Sequence, residues 1–146
     1  METEKKLQLL QMIYAGALAD FVNQLGKEGV LDNVAARKKA ENMVLGKTRA
    51  TQFGITSPQE VFTKLSDLFN CVKWTITETE NGFTAEGNTC MLCGIAKKMG
   101  APSPCNIYCL DPMEAMVKGL DPNAEYTVKE TLWDGQKCLV EVRKAN

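Results

Sequence analysis

Six cysteines and no histidine set the terms for any chemistry this chain performs. Four of the cysteines form two close pairs. Cys90-Met91-Leu92-Cys93 is a C-x2-C pair at an expected helix start, and Cys105-Asn106-Ile107-Tyr108-Cys109 is a C-x3-C pair one helical turn apart. Soft sulfur donors at these spacings suit a zinc ion or an iron–sulfur cluster, and one short connection joins the pairs, so little loop closure is needed for them to converge. Cys90, Cys93, Cys105 and Cys109 are therefore the candidate metal ligands. Without histidine, the remaining protein ligands for such a metal are thiolates and carboxylates.

The same residues admit three other readings. They can be small buried hydrophobes. Cys90 and Cys93 can form a redox dithiol, in which a helix N-terminus lowers the pKa of the first thiol and makes it the attacking group. One thiolate can be a nucleophile, with Asp111, Glu114 or Glu130 as its base. Cys71 lies at a helix–strand junction and is expected in the core. The methionines Met91, Met99, Met113 and Met116 surround the cysteine segment and read as core filler or as an adaptable pocket wall.

These residues need elements to position them. Between Glu4 and Leu25 the residues Leu7, Leu10, Ile13, Tyr14, Ala17, Phe21 and Leu25 recur at helical steps, which predicts an amphipathic helix. A second helix, from about Asp32 to Gln52, has small and sparse apolar positions and is expected on the surface, with Arg37-Lys38-Lys39 as a solvated face. Ser57-Pro58-Gln59-Glu60 is a capping box with proline at the first helical position. Val72, Trp74 and Ile76 alternate as in a strand over Val72–Thr77. Asn81-Gly82 then signals a hairpin returning through Phe83–Glu86. Asn88 or Thr89 is the expected cap of a short helix carrying Cys90 and Cys93. Asp111-Pro112 is the expected start of another, ending at Gly119.

The final hairpin joins Glu125–Leu132 to Lys137–Arg143 through a turn at Asp134-Gly135. A two-residue turn would oppose Tyr126, Val128 and Leu132 to polar partners. A longer loop or a bulge aligns them with Cys138, Val140 and Val142. That register places Glu130 on the inward face, where a carboxylate needs a partner. The expected fold is one α+β domain over residues 1–146. Its N-terminal helices pack on an antiparallel sheet of two hairpins, with short cysteine-bearing helices between.

Bulk properties narrow the partners. With 17 basic and 18 acidic residues mixed along the chain, no basic face favours nucleic acid. The longest apolar stretch, Met12–Val22, contains Asp20 and is too short to span a bilayer. The charged N-terminus lacks the pattern of a signal peptide, so a reducing cytoplasm and free thiols are expected. A homodimer is the default assembly.

From Thr89 onward the pattern Cys90…Cys105…Cys109-Leu110-Asp111…Glu130-Thr131-Leu132…Gly135…Cys138 resembles two families. One is the 4-vinyl-reductase-type, or hydrocarbon-binding, domains. That resemblance implies a dimeric module binding a small apolar molecule, with Glu130 and Cys138 as further ligands; Trp133 stands where those domains carry a cysteine. The other is the L-2-amino-thiazoline-4-carboxylic acid hydrolases. That resemblance implies a hydrolase of a small heterocycle or amide, with Cys109 and Asp111 near a ring-opening site. The implied functions are a binding domain with a thiolate metal site, or a hydrolase using a cysteine thiolate or metal-bound water.

Overall fold

A computed structural model describes residues 1–144. The order is α1 (Thr3–Lys27), α2 (Leu31–Gln52), α3 (Pro58–Phe69), β1 (Thr75–Thr79), β2 (Gly82–Gly87), α4 (Met91–Met99), a π-helical turn (Asn106–Leu110), α5 (Asp111–Leu120), β3 (Glu125–Glu130) and β4 (Cys138–Arg143). The antiparallel sheet runs β1-β2-β4-β3, so each hairpin is sequential and the central contact joins β2 to β4. This is the expected α+β domain of N-terminal helices, two hairpins and cysteine-bearing helices between them.

One face of the sheet makes the larger core. Phe83 opposes Val142 and Ala85 opposes Val140. They pack with Phe62 of α3 and with Met113, Met116 and Val117 of α5. Phe62 meets the edges of Trp74 and Phe83, with ring centroids 5.3 and 5.6 Å away. Burying an aromatic side chain of this size stabilises by roughly 1.5–3 kcal/mol. Gly82 lies inside β2 rather than in the turn, and a Cβ there would sit 2.0 Å from the Val142 carbonyl oxygen. The Asn-Gly signal thus marks the right hairpin, but the glycine's role is to let β4 approach.

The helices depart from expectation in two places. α2 keeps most of its residues exposed, as expected of a surface helix, but its buried stripe of Asn42, Gly46 and Ala50 packs far more closely than its sparse apolar residues suggest. A Cβ on Gly46 would lie 2.0 Å from the Ala115 carbonyl oxygen, and one on Gly119 would lie 2.5 Å from the Lys47 nitrogen. The sparse, small residues of α2 are what allow its backbone to lie against α5. α1 buries a side about a third of a turn away from the one its large residues suggest. Ala15, Leu18, Ala19 and Val22 are inside, and Ala15, Leu18 and Ala19 pack with Leu92, Ala96 and Ala101. Leu7, Leu10, Ile13, Tyr14 and Phe21 remain exposed. Alanines let α1 approach α4 closely, and that contact sets the phase of the helix.

Local boundaries also differ. Regular pairing of β1 starts at Thr75, while Val72 makes an isolated bridge to Cys90. β3 ends at Glu130, two residues before Leu132, and residues 131–137 form the loop. No described helix is long and apolar enough to cross a membrane.

Candidate active-site cavity

The first turn of α4 organises the thiols. Its N-cap is Cys90 itself, not Asn88 or Thr89, and the Cys90 sulfur accepts the Cys93 backbone N–H at 3.4 Å. The bond needs an extended residue before the helix, and the bridge to Val72 holds Cys90 in that conformation. The Cys93 sulfur lies 3.4 Å from the Cys105 sulfur. Hydrogen bonding to the Cys93 thiol, together with the N–H groups of Cys93 and Leu92, outweighs burial and brings the Cys90 pKa down to about 7. Cys93 is pushed upward, first by its hydrogen bond with Cys105 and then by that with Cys90, so it keeps its proton. Cys105 is lowered by the Cys93 thiol. The C-x2-C pair thus has one activated sulfur, as a dithiol at a helix start should.

The other cysteines stand apart. Cys109 directs its thiol to the Met113 sulfur at 3.8 Å, and burial pushes its pKa well up. Cys138 accepts the Leu132 N–H at 3.3 Å, and burial raises it to about 11. Cys71 is also raised to about 11 by burial, yet it lines an apolar cavity and is more than core filling. The structure brings Cys90, Cys93 and Cys105 together but does not gather Cys109 with them. Among the described residues, no three histidine, cysteine, aspartate or glutamate side chains converge as a metal-binding group.

Glu130 is not an inward carboxylate. Tyr126 opposes Val142 and Val128 opposes Val140, as expected, but a bulge comes next and Glu130 opposes Leu139. One extra residue turns the strand over, so Glu130 shares the face of Leu139 rather than that of Cys138 and Val140. Its carboxylate accepts the backbone N–H groups of Gln136 at 2.8 Å and Lys137 at 3.1 Å, and so ties the 131–137 loop. Trp133 lies in that loop with the Lys97 ammonium 5.4 Å from its ring centre, and Lys97 donates to the Leu132 carbonyl at 2.8 Å. Both residues fasten the last hairpin to α4.

Asp111 does not cap a helix. The chain enters α5 directly from the π-helical turn, and Asp111 makes no side-chain cap bond. The helical run 106–120 shows one face to each of two depressions. Cys109, Met113 and Met116 face one; Asp111 and Glu114 face the other, where Lys39 lies 3.8 and 3.6 Å from their carboxylates. Cys109 and Asp111 are close in sequence but do not act on one space.

The first depression is a cavity of about 350 Å3. Its walls are largely apolar, from Leu18, Trp74, Leu92, Ile107, Met113 and Met116, with the thiols of Cys71, Cys90 and Cys109 among them. Its polar side comes from α2. Lys38, Asn42 and Arg49 are spaced by four and seven residues, which places them on one helix face. Asn42 is 3 % exposed and accepts a hydrogen bond from the Arg49 guanidinium. Lys38 lies 5.7 Å from the ring centre of Tyr108 and is part of the wall, not a solvated lysine. Among the described residues neither Lys38 nor Arg49 forms an ion pair with a carboxylate. Tyr14 and Tyr108 complete the lining, and burial raises both phenols, so they stay neutral donors. Asn42, Arg49 and Tyr108 did not stand out by residue type. The available signal was the recurrence of polar and small residues at 42, 46 and 49 in α2.

The α+β domain thus places the Cys90 thiol, with its lowered pKa, and the cations of Lys38 and Arg49 around one small, largely apolar cavity. The family model for L-2-amino-thiazoline-4-carboxylic acid hydrolase matches residues 8–139, and the chain belongs to that family. The match spans the N-terminal helices as well as the cysteine segment. It carries the hydrolase resemblance and not the 4-vinyl-reductase-type one. No curated protein and no solved structure matches the chain.

Proposed function

We propose that this chain hydrolyses a small ring-bearing carboxylic acid of the type its family is named for, with Cys90 as nucleophile and Arg49 as the anchor of the carboxylate. The observation that carries this reading is that Cys90 and Arg49 line one cavity of about 350 Å3. A thiol with a pKa of about 7 needs no separate base near neutral pH, which answers the absence of histidine. The guanidinium offers planar, paired donors to a carboxylate in an apolar setting where charge-assisted hydrogen bonds are strong.

In the first step the Cys90 thiolate adds to the amidine-type ring carbon and forms a C–S bond. The bond from that carbon to the ring sulfur then breaks, and the departing thiolate takes a proton. Water adds to the same carbon, loses a proton and expels the Cys90 thiolate, which regenerates the enzyme and leaves the ring-opened acid. The first turn of α4 stabilises the Cys90 thiolate before attack and again as leaving group. The neutral phenols of Tyr14 and Tyr108 supply donors on the cavity wall.

The test is incubation of the full chain with 2-aminothiazoline-4-carboxylate, then thiol titration and mass spectrometry of the product. Ring opening by the wild type that is lost in Cys90→Ala and kept in Asp111→Asn supports the assignment. Turnover unchanged in Cys90→Ala removes Cys90 from the chemistry.

A further inference from the structure

α1 carries more apolar surface than its own fold uses. Its buried face is satisfied by α4, and Gln11 on that side donates to the Leu68 carbonyl at 2.9 Å. Beside that face, apolar residues repeat with alternating steps of three and four at Leu7, Leu10, Tyr14, Ala17 and Phe21, with Leu7 and Tyr14 at the border with α3. Of these, Leu7, Leu10, Tyr14 and Phe21 are exposed, Leu10 by 63 % and Phe21 by 58 %, and Ala17 is at least partly so. A period of 3.5 is the spacing that keeps an apolar seam facing another helix along its length. From Leu7 to Phe21 the seam is about 21 Å long at about 1.5 Å per residue. Tyr14 is held within it by stacking on Phe69, with ring centroids 5.1 Å apart.

We propose that the α1 seam is where a second copy of this chain docks, α1 against α1, antiparallel about a two-fold axis near Ile13. The charges beside the seam select this occupant and register. In the heptad defined by Leu7 and Leu10, the residues flanking the seam on its open side are Lys6, Ile13 and Asp20. Antiparallel pairing that sets Ile13 against its own equivalent, itself 62 % exposed, places Lys6 against Asp20 of the second copy, twice by symmetry. Sliding the helices by one heptad would set Lys6 against Lys27 and Ile13 against Asp20, which charge disfavours. The opposite flank, with Gln11 and Leu18, is closed by the chain's own fold. Tyr14 also lines the cavity, so the second copy borders the proposed active site. The seam does not depend on the functional reading, and its test is separate.

The experiment is analytical ultracentrifugation of the full chain at micromolar concentration. The expected mass is twice the 16.1 kDa of one chain. Leu10→Glu removes an exposed seam residue without touching the core and should weaken dimerisation roughly thirtyfold or more, with helical circular dichroism retained. Lys6→Glu should weaken it less, and Lys6→Glu combined with Asp20→Lys should restore it. Ile13→Cys should form a disulfide-linked dimer on mild oxidation. A monomeric wild type, a dimer indifferent to Leu10→Glu, or a chain that floats with phosphatidylcholine vesicles instead of dimerising overturns the proposal.

Discussion

The two faces of the helical run 106–120 present opposite surroundings within a few residues. One face closes an apolar cavity holding Cys90, Cys109 and the α2 cations. The other lines a depression where Asp111 and Glu114 meet Lys39. On the first side Arg49 donates to a neutral asparagine, and among the described residues no carboxylate pairs with its charge. On the second, the carboxylates already have a cation, so their pairing is complete without a ligand. A cluster of charges therefore says less about function than a charge left without a counterion in the same cavity as a thiol of lowered pKa.

The largest effect that would overturn this contrast is on turnover. Cys90→Ala should lower kcat by at least about 10²-fold, as removal of a nucleophile does, while Asp111→Asn should leave kcat near wild type. Steady-state kinetics on the two variants reads the difference between the faces directly.

Binding comes next in size. Arg49→Ala should raise KM by about 10- to 100-fold, the loss expected for charge-assisted hydrogen bonds worth about 1.5–3 kcal/mol. Arg49→Lys should recover part of it, because the charge remains and the paired donors do not.

The pH dependence separates the thiols. The Cys90 pKa is lowered from 9.0 to about 7, so its alkylation by iodoacetamide should be half-maximal near pH 7. Cys71 and Cys138, at about 11, should react only in strong alkali. The linked stability has a definite sign. A depressed folded pKa contributes stability that is full above the unfolded value of 9.0 and is lost as pH falls through about 7. Cys90→Ser should flatten the stability profile across that window in denaturant titrations.

Smaller still are changes to the frame. Gly46→Ala puts a methyl group into the α2–α5 crossing and should cost about 1–3 kcal/mol by overpacking, read from the urea midpoint. Lys39→Ala, which removes a half-exposed ion pair, should cost under about 1 kcal/mol and leave substrate kinetics unchanged.

Much of the element plan was legible in the residue pattern. Ser57 does cap α3 by accepting the Glu60 N–H, and the two hairpins lie where turn residues and alternation put them. The misalignment of Tyr126 and Val128 under a tight turn required a bulge or a longer loop, and β3 has its bulge after Val128. The consequence for Glu130 was not legible, because an irregularity placed one residue later leaves the apolar pairs intact and turns over only the residues beyond it. The phase of α1 was hidden for a different reason. Its large residues outline one face, but the face that approaches α4 is the one with alanines.

Residue types alone dictated the chemical vocabulary. With no histidine and a C-x2-C pair at a helix start, thiolates and carboxylates were the groups left for soft-metal chemistry, and a cysteine thiolate was one candidate nucleophile. Which sulfur suits that role is a matter of tertiary arrangement. The Cys90 pKa is lowered because the neighbouring Cys93 thiol and the N–H groups of the first α4 turn stabilise its thiolate, whereas Cys109 is enclosed beside a thioether. That Arg49 shares a cavity with the Cys90 sulfur is likewise set by the fold, since Arg49 and Cys90 are separated by a helix and a hairpin along the chain. Residue type sets what a group can do, but burial and the donors around it, contributed by distant elements, set its charge state and its company.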